Sequence, residues 1–528
     1  MTPEFTKIEI YLCYLIYFIF FAYLLYLNYT ESRKYLNLHK HHNFVDKNGY
    51  DVTDYEWFNW KEQISFILVG YLCHFLISQF VLIRFFPGKT EIKNYFNLLF
   101  GLLLVFYRIG TIYLCSLLLI CLFFRSLINL VTEHFNYSNY GKLIFWSLFL
   151  ASIKIFSYDF FSQNIYQAAD DQVSAMQSQT FLFIFSQSSI RIGSFCLEYL
   201  DFLRGCKNQD SKVESEKFSV KYYLVYIFYW PPLMIGPWTN YDKFYGDWTS
   251  NFTKSEEKEE GRFNHKQKLI NFLKHISRWT LILILTHFWT KLFHHNALSL
   301  NEWALNSMSF YTLISNYILM DVFFYLKYRI FYGLGATYCK YAENLSETTE
   351  RPNCVMHNPT LNHLWKNFDK GLHEWLVKYI FKPLLRITKS KSPVNHIIAS
   401  FCTFMFTAFW HGGVLSLANT KSMYFVWAIT QWLGLVSENI GEAYFQKLRN
   451  KNLRFKALGL AMIYHFILIS NNFFLSGNQI TMIYIKRFYL ENWRLCLLAH
   501  LFSYCGSVVT LTSKRCSYFS DREKMKDD

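Results

Sequence analysis

The sequence predicts an all-α polytopic membrane protein. Two observations carry that prediction: apolar residues gathered in long blocks, and an unusually heavy aromatic content. The chain has 528 residues, 52% hydrophobic and only 17% charged. A soluble chain of this length is expected to divide into two or more domains built from short amphipathic stripes. Here the apolar positions instead run together for roughly 20 residues at a time, which is what a helix needs to cross the hydrocarbon core of a bilayer. In lipid the backbone can hydrogen-bond only to itself, so such blocks must be helical. The 54 Phe, 39 Tyr and 15 Trp fit the same setting. Tyr and Trp favour interfaces, where the ring is buried and the polar end stays wet. Mean hydropathy is only +0.09 because polar loops separate the blocks.

Candidate spans lie at 8–28, 64–85, 96–124, 142–157, 178–200, 220–237, 276–294, 308–333, 396–417, 422–441, 457–475 and 494–513. The third is long enough for two helices. Together they make about ten to thirteen transmembrane or re-entrant helices. The block at 8–27 lacks a basic leader and a small-residue cleavage site, and is expected as a retained first span. No internal repeat is visible.

Net charge is +15, from 53 Lys and Arg against 38 Asp and Glu. The basic residues sit in loops between apolar blocks, which argues against nucleic-acid binding and for the positive-inside rule beside an anionic leaflet. The segments 338–395 and 446–456 (QKLRNKNLRFK) are the most basic and are expected in the cytosol, with 396–417 and 422–441 forming a hairpin between them. Such a face would attract an anionic cosubstrate such as a coenzyme A thioester. The run 254–260 (KSEEKEE) reads as a solvated loop. The 12 Cys include no C-x-x-C pair. Cys73, Cys115, Cys121 and Cys402 fall in apolar blocks and read as small buried hydrophobes, with no disulfide framework or zinc site indicated.

The segment 361–385, LNHLWKNFDKGLHEWLVKYIFKPLL, is too polar to span. Its apolar positions Leu364, Phe368, Leu372, Trp375, Leu376 and Tyr379 recur at helical spacing, which predicts an amphipathic helix on or dipping into the bilayer.

The chemistry points to 406–413, FTAFWHGG. His411 lies roughly 22 Å into its block at 1.5 Å per residue, well inside the membrane. An ionisable residue there is either functional or hydrogen-bonded to a neighbouring helix. A neutral imidazole in a dry site suits proton abstraction from an attacking amine or hydroxyl. Asp369 could orient a histidine, bind an amine, or pair with Lys366 or Lys370. In 229–244, YWPPLMIGPWTNYDKF, three prolines and a glycine interrupt an apolar block. Breaks of this kind survive at membrane depth when buried in protein or lining a cavity, so 231–237 is expected either as a tunnel wall or as a kinked helix end. Asp321, mid-block, has no role assigned by the sequence.

WHGG in an apolar block, with W-x-x-F-D-x-G-L-H some forty residues earlier, resembles the membrane-bound O-acyltransferase family. Further stretches match in the same order: DVTDYEWFNW at 51–60, the proline-containing segment at 226–244, FFYLKYRIFYG at 323–333 and SNNFFLSGN at 470–478. More narrowly, these resemble the branch that palmitoylates the amino-terminal cysteine of secreted hedgehog signals.

The resemblance implies a fold of helices around a tunnel, with His411 and Asp369 as the catalytic pair. It places Trp365 at the acyl-chain cavity, Asn471 near the reaction centre, and Cys354 at a haem-thiolate position fifteen residues before Asp369. It implies palmitoyl-CoA as cosubstrate, haem b as a cofactor, an acceptor with an amino-terminal cysteine, and an endoplasmic-reticulum or Golgi membrane. The chain is then one multi-span domain over 1–528, with the first span and a polar loop in 1–60, a catalytic core in 220–475 and a polar tail in 515–528. Lys366 and Asn367 depart from the pattern, as does the second proline, Pro232. Other readings are acylation of a lipid or serine hydroxyl, a non-catalytic relative, which would lose the histidine, and a transporter, which would show repeats.

Overall fold

A computed structural model of the chain describes residues 5–38, 44–86, 89–134, 139–156, 172–205, 216–233, 236, 239–256, 264–341, 343, 345, 352, 360–387, 392–414 and 421–513. Their architecture is all-α, with one isolated bridge between Val45 and Asp51 in the first loop. The helices, in chain order, are α1 (Lys7–Leu38), α2 (Tyr55–Leu76), α3 (Thr90–His134), α4 (Asn139–Ile155), α5 (Gln172–Gly205), α6 (Val220–Phe228), α7 (Tyr241–Glu256), α8 (Asn264–Leu292) and α9 (His295–Ser299). They continue with α10 (Glu302–Ser307), α11 (Phe310–Tyr341), α12 (Leu361–Asn367), α13 (Lys370–Leu376), α14 (Pro393–Val414), α15 (Lys421–Lys451), α16 (Leu453–Ser476), α17 (Asn478–Ile485) and α18 (Trp493–Thr512). A π-helical turn, Ile77–Leu82, prolongs α2, and another, Val377–Phe381, prolongs α13.

Among the described residues, seven helical stretches are long and apolar enough to cross a membrane: Lys7–Tyr35, Tyr55–Leu82, Glu91–His134, Gln177–Gly205, Leu269–Leu292, Leu453–Glu491 and Trp493–Thr512. The expected block at 96–124 is indeed two helices in one run, because Gly110 takes a φ of 75°, a conformation open mainly to glycine. The expected span at 220–237 is not one. Its helix α6 has nine residues, Tyr229 is extended, and a short turn of Trp230–Leu233 follows. The run at 254–260 is also not wholly loop, since α7 reaches Glu256.

Local chemistry explains the boundaries near the site. The side chain of Asp54 accepts from Trp57 N at 2.7 Å and starts α2. Thr360 does the same for α12 through His363 N, and Asp369 for α13 through Leu372 N. Asn452 caps α16, and Gly477, at φ 83°, ends it. These are N-cap and C-cap devices that satisfy helix-end groups no neighbour could reach. The predicted amphipathic helix is thus two helices joined at Asp369. Leu364, Leu372, Trp375, Leu376 and Tyr379 are buried, and Phe368 partly so.

α14 packs along α15, α15 along α16, α16 along α18, and α18 along α1. This puts the start of α14 and the end of α15 at the same end of a hairpin, as the two basic segments require. α11 runs through the middle, largely buried, against α1 and α8. The main core joins α2, α3, α5, α6 and α11 to the re-entrant α13 and ends on Phe406 and Trp410 of α14. Of the cysteines expected to be buried, only Cys121 is; Cys73 and Cys115 are exposed and Cys402 is intermediate. Exposed here means outward-facing on apolar helices, where the neighbour is lipid.

The described residues of the proline break line neither of the two cavities around His411. Tyr229, Trp230, Pro231 and Leu233 are packed in the core. Its freed carbonyls are satisfied from within: the buried Arg191 Nη1 donates to the carbonyls of Tyr226 (3.1 Å), Ile227 (3.0 Å) and Tyr229 (3.4 Å). Tyr71 Oη donates to the Pro231 carbonyl at 2.7 Å.

Candidate active site

Four of the five site residues expected from sequence come together. His411, Asp369, Trp365 and Asn471 line a single cavity of ≈ 150 Å³, in a measure where one water needs roughly 10–15 Å³. They arrive from α14, the α12–α13 junction, α12 and α16. Cys354 lies outside the described residues.

His411 is held by rings rather than by hydrogen bonds. Trp410, Phe474, Trp427 and Tyr424 surround it with centroid distances of 4.7, 5.1, 5.7 and 6.0 Å. Tyr424 stacks at 16°, while Trp427 and Phe474 stand at 85° and 84°. Nδ1 is buried with no hydrogen-bond partner. An imidazole caged this way keeps one nitrogen available for a proton.

Asp369 is held in the opposite manner. Its Oδ1 accepts from Leu372 N at 3.0 Å and its Oδ2 from Tyr332 Oη at 2.6 Å. It pairs with neither Lys366 nor Lys370; its two oxygens are held by a helix cap and a tyrosine. Gly236 makes the tyrosine's position possible. Its φ is +66°, and a Cβ there would stand 2.9 Å from the Tyr332 ring. The proline-glycine stretch therefore supports the site from behind.

Trp365 donates from Nε1 to Gln431 Oε1 at 3.1 Å and meets Phe404 edge-on at 4.7 Å. Gln431 Nε2 donates onward to Asn471 Oδ1 and to Ser470 Oγ, both at 2.9 Å.

A second cavity, of ≈ 320 Å³, meets the first at His411. Glu56, Trp60, Phe183, Phe324, Tyr328 and Phe474 also belong to both. Its remaining walls are mixed: Thr53, Asp54, Asn59, Gln63, Thr180 and Asn296 form a polar side, and Leu300, Met320, Phe323 and Met423 an apolar one. Lys327 Nζ sits between Asp54 Oδ2 (2.9 Å) and Glu56 Oε2 (2.7 Å), and Tyr328 Oη donates to Glu56 Oε1 at 2.8 Å. This joins DVTDYEWFNW to FFYLKYRIFYG, two stretches that matched separately. Sequence reasoning missed Glu56 and Lys327 as site residues although both lie in those stretches. It also missed Gln431, whose signal was an amide amid the apolar run 423–436, and Tyr332.

Among the described residues no group of three or more His, Cys, Asp or Glu could hold a metal ion.

Helices around a cavity that runs through to a second one, with a histidine where they meet, is an arrangement for passing a group between two sides. The membrane-bound O-acyltransferase family model matches residues 105–478, and the chain belongs to that family. The match begins well before 220, where the catalytic core was expected. Among curated proteins, the chain is 26% identical over 338 residues to protein-cysteine N-palmitoyltransferase HHAT of Mus musculus, covering 60% of this chain and 63% of that protein. It is 24% identical over 337 residues to protein-cysteine N-palmitoyltransferase Rasp of Drosophila melanogaster, covering 59% and 61%. With the mouse protein-cysteine N-palmitoyltransferase HHAT-like protein it shares 22% over 505 residues, 90% and 88% of the two chains. The chain thus spans somewhat over three fifths of the first two relatives.

Proposed function

We propose that the chain moves palmitate from palmitoyl-CoA to the amino group of an amino-terminal cysteine on a secreted, hedgehog-type protein, in the membrane of the endoplasmic reticulum. The observation that carries this reading is the meeting at His411 of an aromatic-walled cavity and one that carries the cluster of Asp54, Glu56 and Lys327. The names of the mouse and fly relatives point the same way.

The thioester lies in the cavity lined by Trp365, Phe368, Leu372, Leu376 and Trp410, and the acceptor enters through the chamber of Glu56 and Asp54. The amine nitrogen attacks the thioester carbonyl carbon and an amide bond forms. The ammonium first gives one proton to water at the entrance, so that the neutral amine is what attacks; a second proton passes from the attacking nitrogen to Nε2 of His411, the carbon–sulfur bond breaks, and that second proton leaves on the coenzyme A thiol. Asp369 and Tyr332 form the other wall, where a fixed carboxylate can position the amine. Carboxylates at the polar entrance favour a cationic amino terminus over a lipid or serine hydroxyl.

The donor arrives from the cytosol, where 338–395 and 446–456 would lie, and the acceptor from the lumen. Neither polar group then enters lipid, which would cost several kcal/mol per unsatisfied group. Of the N-x-S/T sequons, at Asn28, Asn136, Asn251 and Asn344, Asn28 is fully buried and donates to Asn316 Oδ1 at 3.4 Å, so it is closed to a glycan. Asn344 lies outside the described residues; a glycan on it in cells would reverse the two entrances. Haem on Cys354 rests on the family resemblance, and a Soret band that persists in Cys354→Ala would remove it.

The test is incubation of purified protein with labelled palmitoyl-CoA and peptides ending in free Cys, blocked Cys or Ser. Amide-linked label on free Cys alone is expected. Label on Ser, or none at all, overturns the reading.

A further inference from the structure

We infer that Gln431 is a specificity-determining residue of the apolar cavity: its amide holds the indole of Trp365 in the cavity wall and so sets which acyl chains fit. The inference rests on the acyl-transfer reading above. Gln431 lies on α15, lines the cavity and is 1% exposed. A buried amide is costly unless its polar atoms are met. Those of Gln431 are met by three partners on two other helices. Its Oε1 accepts from Trp365 Nε1 of α12 at 3.1 Å, and its Nε2 donates to Ser470 Oγ and Asn471 Oδ1 of α16, both at 2.9 Å.

The partners allow the amide one orientation. An indole N–H is a donor and nothing else. Ser470 Oγ is an acceptor here, because its own proton goes to the Ile467 carbonyl at 3.1 Å. A flipped amide would set donor against donor at Trp365 and acceptor against acceptor at Ser470. The same face of α15 grips α12 at two more points. Trp427, one turn before Gln431, packs on the Trp365 ring with centroids 5.6 Å apart. Glu438, two turns beyond it, accepts from Leu361 N at 2.7 Å and holds the first residue of α12. These contacts place the helix and the ring, but only the amide fixes the ring's rotation. Aromatic packing tolerates many angles, 43° at Trp427 and 82° at Phe404. An N–H···O bond weakens steeply once it bends. Without Gln431 the indole N–H has no acceptor in that position, so the ring turns and the wall against which an acyl chain would lie moves with it.

The readout is acyl-chain discrimination measured without acceptor. Purified full-length protein is titrated with octanoyl-, lauroyl-, palmitoyl- and arachidoyl-CoA, and apparent Kd values are taken from thermal stabilisation. Gln431→Met keeps the volume and removes the amide. It should lower discrimination between palmitoyl- and lauroyl-CoA by about tenfold, the size of one lost hydrogen-bond link. Trp365→Phe removes the N–H that the amide holds and should flatten the profile as well, which decides the matter if Gln431→Met is not recovered folded. Both changes break the same bond, so the double variant should lose no more discrimination than the worse of the two singles. A glutamine that served stability alone would lower Tm and leave the profile unchanged. A wild type that does not discriminate among the chains, a wild-type profile in either single variant, or losses that add in the double variant overturns the inference. Wild-type protein stabilised by none of the four thioesters would instead overturn the acyl-transfer reading, and this inference with it.

Discussion

The two cavities that share His411 are built from different materials. One is walled by Trp365, Phe368, Leu372, Leu376 and Trp410, with Asp369 fixed by a helix end and a tyrosine. The other is walled by Asp54, Asn59, Gln63, Thr180 and Asn296, with Lys327 clamped between two carboxylates. An acyl chain would gain about 0.8 kcal/mol per CH₂ buried against the rings and leucines of the first. The second adds Asp54 and Lys327 to the Glu56 that both cavities share, and so offers a charged amino terminus more partners. On the reading proposed above, the difference would sort two unlike substrates to opposite sides of His411, with no need for either to cross the other's chamber.

The largest expected effect removes what the chambers share. His411→Ala should lower transfer by roughly 10²–10⁴-fold, the range for loss of a general base, while palmitoyl-CoA binding persists. Transfer near the wild-type rate would remove His411 as the base. Next, Asp54→Asn, which keeps a helix-capping oxygen, should raise KM for a peptide with a free amino terminus by about tenfold and leave KM for palmitoyl-CoA unchanged, because Asp54 lines only the second chamber, beside Lys327. If both constants rise together, the sorting of substrates between the chambers is wrong. Smaller still, Gly236→Ala should cost about 1–3 kcal/mol of stability through its φ of +66°. It should also lower kcat, since a Cβ would push on the Tyr332 ring that holds Asp369. A loss of stability with kcat intact would separate Tyr332 from the chemistry.

The apolar chamber was the more legible of the two in the sequence. Blocks of Phe, Leu and Trp announce helices directly, and a lone imidazole in such a block stands out, so His411 was readable from position alone. Asp369 was readable as a residue but not as a helix cap, because capping depends on where α12 stops, and the periodicity runs straight through it. The polar chamber was not legible. Asp54, Glu56 and Lys327 are ordinary surface residues by type, and only the folding of α2 against α11 brings the carboxylates and the ammonium together. The span expected at 220–237 failed for a related reason. Hydropathy measures the apolar character of a block and not its neighbours, and this block is buried by protein rather than by lipid, with Arg191 supplying the donors that its broken backbone needs.

The smallest effect tests the floor of the polar side. Asp51 is buried in the loop before α2 and accepts from Thr53 Oγ1 at 2.6 Å, Thr53 N at 3.0 Å and Ala297 N of α9 at 3.0 Å. Burial pushes its carboxyl up to about 6, against the pull of those hydrogen bonds toward lower values. The folded carboxyl therefore holds its proton to higher pH than the unfolded one, whose ordinary value is near 4. Between about pH 4 and pH 6 the folded state binds more protons, so stability falls as pH rises through that window and stays reduced above it. Asp51→Asn mimics the protonated form and should abolish the slope. Thermal unfolding of wild type and variant across that window is the measurement. A wild-type slope that survives in Asp51→Asn would assign the pH dependence elsewhere, and would leave the tie between the first loop and α9 indifferent to charge.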